Sequence, residues 1–112
     1  MKQIYFYKTT SGREVIAEFI DRLDEITKSR VRNGIRILEK HGLELLKNRS
    51  VKKITTRPDI FELRIVGKKQ IRILFTIYDA NTYLLIHIFV KKTQKTPIED
   101  IKLAQKRAKE YI

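Results

Sequence analysis

Between Ile60 and Val90 apolar residues recur at every second position, and short polar turns interrupt the pattern twice. Phe61, Leu63 and Ile65 alternate with Glu62, Arg64 and Val66; Ile71, Ile73, Phe75 and Ile77 alternate with Arg72, Leu74, Thr76 and Tyr78. A period of two sends successive side chains to opposite faces of a strand. Gly67-Lys68-Lys69 separates the first two runs, and Asp79-Ala80-Asn81-Thr82 leads into a third strand, Tyr83 to Lys92, buried on one face through Leu84, Ile86, Ile88 and Val90. Consecutive antiparallel hairpins follow, and the rest of the chain must pack on them.

That remainder is mostly helical. Gln3 to Tyr7 is short and aromatic-rich and reads as a strand. Ser11-Gly12-Arg13-Glu14 has the capping-box pattern, and Val15, Ile16, Phe19, Ile20, Leu23 and Ile26 follow at helical spacing, so a first amphipathic helix is expected to about Thr27. Ser29 to Lys40 repeats the pattern through Val31, Ile35 and Leu38. Lys40, His41 and Gly42 then supply the cations and the left-handed residue that commonly end a helix. Leu43 to Asp59 is less regular, with Val51 to Ile54 a short strand and Arg57-Pro58-Asp59 a turn. Thr96 as cap, Pro97 at the first helical position and Glu99 completing the box begin a last helix, whose stripe is Ile101, Ala104, Ala108 and Tyr111. The expected fold is α+β: an N-terminal helix hairpin on a mainly antiparallel, twisted sheet of four to five strands, with a C-terminal helix, as a single domain over residues 1–112.

Register turns the strand pattern into a site. Neighbouring strands must keep their apolar alternates on one face, because a slip of one residue would turn them all outward. A three-residue loop at Gly67-Lys68-Lys69 pairs Val66 with Gln70, Leu63 with Ile73 and Arg64 with Arg72. Around Ala80-Asn81, Asp79 pairs with Thr82, which sets Arg72 opposite Phe89. One face, taken as the non-core face, then gathers Glu62, Arg64, Arg72, Leu74, Tyr78, His87, Phe89 and Lys91. Like charges facing each other directly are destabilising, so opposed arginines suggest an anionic ligand. Glu62 is placed to pair with one of them and leave most donors free for a phosphate. On this reading Arg72 is not structural, and its removal leaves the fold intact or slightly steadier.

Charge supports that direction. Lys and Arg number 25 against 13 Asp and Glu, a formal +12, with a pI near 10.1. Such a balance draws polyanions, among them RNA, DNA and the ribosome, as well as anionic membrane. Cysteine is absent, which excludes disulfides and thiolate metal sites. The two histidines, His41 and His87, lie far apart and make no recognisable metal-ligand spacing. No signal peptide is evident, and the longest apolar stretch, Tyr83 to Val90, falls well short of the roughly 20 residues a spanning helix needs. A soluble, cytoplasmic protein without cofactor is expected.

Three segments, Phe61-Glu62-Leu63-Arg64-Ile65, Ile71-Arg72-Ile73-Leu74-Phe75 and His87-Ile88-Phe89-Val90-Lys91-Lys92-Thr93-Gln94-Lys95-Thr96-Pro97, resemble the phage-derived Gp49-like branch of the RelE/ParE toxin superfamily, the branch that includes HigB. The order of helix hairpin, sheet and final helix is similar over nearly the whole chain. The resemblance implies a RelE-like toxin of a type II toxin-antitoxin system that cleaves messenger RNA in the ribosomal A site without metal. It also implies an antitoxin encoded beside it, of the helix-turn-helix type. Arg64, Arg72, Lys91 and Lys92 sit where such toxins place the basic side chains that bind and activate the scissile phosphate. Tyr111, the one tyrosine after Pro97, receives no catalytic role.

Metal-free RNA cleavage needs groups that deprotonate a 2′-hydroxyl, stabilise charge on phosphate oxygens and protonate the leaving 5′-oxygen. Arg72, central on its face, is the first candidate for the phosphate, with Arg64 opposite it. Lys91 or Lys92 serves as a second clamp or as a proton carrier. His87 is either the acid-base group or a packed strand histidine. Phe89 stacks on a base or packs. Lys52, Lys53, Lys68 and Lys69 extend the basic surface toward RNA backbone. Two other readings are open: a ParE-like inhibitor of DNA gyrase, which shares the fold but does not need the Arg64, Arg72 and Lys91 constellation, and a non-catalytic basic RNA-binding module.

Overall fold

A computed structural model describes residues 1–112. Its elements are β1 (Gln3–Phe6), α1 (Val15–Asp21), α2 (Glu25–His41), a 3-10 turn (Gly42–Leu46), β2 (Val51–Thr55), β3 (Ile60–Ile65), β4 (Ile71–Asp79), β5 (Thr82–Val90) and α3 (Ile98–Lys109). The strands form one five-stranded mixed sheet in the order β1-β5-β4-β3-β2. β1 joins β5 in parallel, and every other pair is antiparallel.

The first hairpin has the expected register, with Leu63 opposite Ile73 and Arg64 opposite Arg72. In the second, Arg72 meets Phe89 and Asp79 meets Thr82 as expected, but the middle slips by one residue, so that Phe75 faces Leu85. Irregularities at Leu74/Phe75 and Ile77/Asp79 cancel each other. A bulge breaks simple alternation and adds local twist. The strand pattern alone carries no mark of it.

The helices begin later or earlier than the sequence suggests. Ser11 does not cap α1, whose first residue is Val15 and whose cap, Glu14, makes no side-chain bond to it. Instead Ser11 and Thr9 share a hydroxyl hydrogen bond, the Arg13 amide donates to Thr9 Oγ1, and Gly12 takes φ +86° in the turn. The first helix also stops at Asp21 rather than near Thr27. Asp24 starts α2 by accepting hydrogen bonds from the amide of Thr27 at 3.0 Å and from its hydroxyl at 2.8 Å. Such a cap satisfies donors that the first turn leaves free. Ile26 thereby becomes an exposed residue of α2.

α2 buries Val31 and Leu38 against the sheet, each contributing about 1.5–3 kcal/mol by leaving water. Close approach is possible because Gly34 lacks a side chain: a Cβ there would lie 3.0 Å from Ile65 Cγ1. The helix ends at Gly42 as expected, in a conformation with φ +56° where a Cβ would meet the Tyr83 hydroxyl at 2.7 Å.

α3 contacts β5 and β4 through buried Ala104 and Ala108. Its cap is Pro97, not Thr96. Tyr111 lies past the helix, donates its hydroxyl to the Lys8 carbonyl at 2.9 Å and packs edge-on to Tyr7. The face taken as non-core is therefore partly a second core: Leu74 on it is fully buried, and the register slip brings Leu84, read as core-facing from sequence, opposite Thr76 on the same face. No helix is long and apolar enough to cross a membrane.

Candidate functional site

Across β3, β4 and β5, Glu62, Leu74 and His87 form one row and Arg64, Arg72 and Phe89 the next. Lys91 continues β5, its amide donating to the Gln70 carbonyl at 2.7 Å. Alternation assigns these residues to one face, and ion pairs join three of them. Glu62 Oε1 lies 3.8 Å from Arg72 Nε and 3.8 Å from Lys91 Nζ. Its other oxygen, Oε2, accepts from the Thr96 hydroxyl.

The cluster is deep. Glu62 is 0% exposed and Arg72 4%. Separations of 3.8 Å give electrostatic attraction but no hydrogen bond, and Glu62 Oε1 and Arg72 Nε are both buried without a hydrogen-bond partner. Arg72 Nη1 is held by its own strand, donating to the Ile71 carbonyl at 2.9 Å. Burial pulls the Arg72 pKa below the usual guanidinium range; the Arg64 charge adds to that effect and Glu62 opposes it. Burial likewise lowers the Lys91 pKa, helped by Arg72, Lys52 and Arg64 and opposed by Glu62. One carboxylate thus serves a buried and a half-buried cation, and the cluster keeps a net positive charge with an unused donor. Unmet donors of that kind are costly, and a functional role or a bound ion is among the reasons a fold retains one.

Arg64 stands opposite Arg72 but is exposed, while Arg72 is turned inward to Glu62. The Glu62 carboxylate, 3.8 Å from Arg72 Nε, offsets the opposed charges, although the Arg64 charge still acts on Arg72. Lys52, the cross-strand partner of Glu62, is exposed beside them. Lys92 is exposed next to Lys91.

Other candidates are drawn elsewhere. Phe89 is 9% exposed and its ring stacks on His87 at 5.3 Å between centroids, so it presents no open platform. His87 Nε2 meets Asp100 Oδ1 of α3 at 2.6 Å, beside a small cleft shared with Val15, Phe19 and Arg107. Burial favours the neutral ring and the Asp100 carboxylate favours the cation; burial dominates and lowers the His87 pKa. These two residues seat α3. Lys53 pairs with Asp59 at 3.2 Å. Lys69, at the hairpin tip, pairs with Asp24 at 3.6 Å on the helical side, and Lys68 is exposed beside it. Tyr78 lies within the second irregularity, near Tyr5 and away from the cluster.

Thr96 at Glu62 and Asp100 at His87 are the contacts that sequence reasoning missed. Thr-Pro before an apolar helix reads as a cap, and nothing in that pattern distinguishes a hydroxyl aimed at a strand carboxylate. No group of three or more His, Asp or Glu side chains is arranged to hold a metal.

The model of the phage-derived protein Gp49-like family (DUF891) matches residues 18–109. The chain belongs to the Gp49-like family. That family lies in the RelE toxin-like superfamily, and membership is consistent with the toxin of a toxin-antitoxin pair, which implies an antitoxin as partner. The match takes in every strand but β1, together with Glu62, Arg64, Arg72 and Lys91. No curated protein matches the chain.

Proposed function

We propose that this Gp49-like protein is the toxin of a type II toxin-antitoxin system, a HigB-like, ribosome-dependent endoribonuclease of the cytoplasm that cuts messenger RNA. The observation that carries the reading is the pair of buried Arg72 and half-buried Lys91 sharing a single carboxylate, with Arg72 Nε lacking a hydrogen bond. A phosphate oxygen is the natural group to complete it. The message 2′-oxygen attacks the neighbouring phosphorus, a P–O2′ bond forms, the P–O5′ bond breaks, and the products are a 2′,3′-cyclic phosphate and a 5′-hydroxyl.

Arg72 stabilises the charge that grows on the phosphate oxygens, from a water-poor position where a fixed donor counts for more. Arg64, exposed opposite, reaches the same phosphate from solvent. Lys91, with its lowered pKa, is suited to carry a proton between the 2′-hydroxyl and the leaving oxygen. Lys92 clamps the neighbouring backbone. His87 and Phe89 act through the seat of α3 rather than on RNA. The antitoxin is a small helix-turn-helix protein that neutralises this face.

Induction in growing cells, with message ends mapped by primer extension, tests the reading. Cuts within codons are expected for the wild type and not for Arg72→Ala or for Arg72→Lys, which keeps the charge but loses the fork. Circular dichroism confirms that each variant is folded. Intact messages with blocked DNA supercoiling would instead assign the protein to gyrase, and tight RNA binding without scission would leave a binding module.

A further inference from the structure

A groove of about 330 Å³ lies between β2 and the start of α3, lined by Lys52, Lys53, Ile54, Lys95, Thr96 and Ile101. It adjoins the buried cluster at two points. Thr96 belongs to its wall and also donates to Glu62, and Lys52 is the cross-strand partner of Glu62. Of its three lysines, Lys53 is neutralised by Asp59, whereas Lys52 and Lys95 have no carboxylate within ion-pair distance. Ile54 and Ile101 are half-buried and give the groove apolar surface between the free cations.

Cations flanking a small apolar face are what a single-stranded nucleotide needs: phosphates take the charges and the flat face of an unstacked base covers the aliphatic carbons. A duplex offers no such face, because its bases are already stacked. An acidic peptide would use the lysines and leave the isoleucines unused. We propose that this groove is a nucleotide subsite, in which Lys52 and Lys95 hold the backbone next to the phosphate at Arg72 and Lys91 while Ile54 and Ile101 receive one base. The proposal rests on the ribonuclease reading for its ligand class, and it adds a place for the residue beside the scissile bond.

The test uses the full chain and a fluorescent 2′-O-methyl heptanucleotide, which lacks the attacking hydroxyl and cannot be cut. Affinity is measured by anisotropy over a series of salt concentrations. In Lys52→Ala/Lys95→Ala the slope of log affinity against log salt is expected to shrink by about 0.7 for each phosphate that is no longer neutralised. Lys40→Ala, on the far side of the sheet, leaves it unchanged. An abasic position in the oligonucleotide is expected to weaken wild-type binding about tenfold and to have less effect in Ile101→Ser. An unchanged slope in the double variant, or no binding by the wild type, overturns the subsite. Poly-glutamate binding that depends on the same lysines, with no effect of the abasic position, overturns it in favour of an acidic partner. Because the probe resists cleavage, the outcome is independent of message-end mapping: a protein that cuts nothing can still show the groove, and one that cuts can lack it.

Discussion

Glu62 is the residue on which the candidate site turns. It holds Arg72, Lys91 and Thr96 together from a position without solvent. Replacing it with alanine leaves buried Arg72 and half-buried Lys91 uncompensated, and a drop of about 3–5 kcal/mol in unfolding free energy is expected, read from urea curves. Arg72 reverses the expectation drawn from sequence. Because it is buried against Glu62 rather than opposed to Arg64 in solvent, Arg72→Ala should cost about 1–3 kcal/mol, softened by the second ion pair to Lys91; an unchanged or raised urea midpoint would contradict this placement. His87 gives a prediction in pH. Its folded pKa lies below the ordinary 6.5 because of burial, so the neutral ring is the form the fold favours. Its contribution is complete above pH 6.5 and is lost as pH falls through the lower folded value. Wild type should lose urea stability over that range more steeply than His87→Phe, and parallel profiles would count against the α3 seat.

At the level of elements, the strands and the Gly42 end of α2 were legible, whereas the starts of α1 and α2 and the end of α1 were not. Alternation from Ile60 to Ile77 fixed the Arg64–Arg72 register because a slip of one residue would turn the apolar alternates Phe61, Leu63, Ile71 and Ile73 outward. Nothing comparable fixed the β4–β5 slip, since Leu84, Leu85 and Ile86 are all apolar and buried and fit either register. The helix break at Arg22-Leu23-Asp24 was hidden because Leu23 and Ile26 continue the apolar spacing across it. The decisive signal was Asp24 with Thr27 three residues on, a cap that competes with the more familiar Ser11–Glu14 box. The candidate site was legible in its strands and not in Thr96, whose partner is 34 residues away. Hydrogen bonds from Thr27 hold the Asp24 carboxyl down to about 2, from an ordinary 3.8. A depressed carboxylate stabilises the fold above its unfolded pKa and ceases to do so as pH falls through the folded one. Asp24→Ala should therefore unfold at lower urea than wild type at pH 7, with the gap closing between about pH 4 and pH 2; a gap that persists at pH 2 would mean the cap acts without its charge.

For the molecule as a whole, the question is whether a charge of +12 is a diffuse coat or a directed one. Exposed arginines line the outer side of α2, including Arg32 and Arg36, and these alone would give salt-sensitive attraction to any polyanion. The buried cluster on the sheet is different in kind, because its unpaired guanidinium donor can be satisfied only by a group that reaches it. Nitrogen-15 NMR of the arginine Nε–H signals, recorded while an uncleavable single-stranded RNA is added, separates the two. The signal of Arg72 is expected to shift and its hydrogen exchange to slow as a phosphate completes the cluster. Movement of the Arg32 and Arg36 signals with Arg72 unchanged would contradict the account.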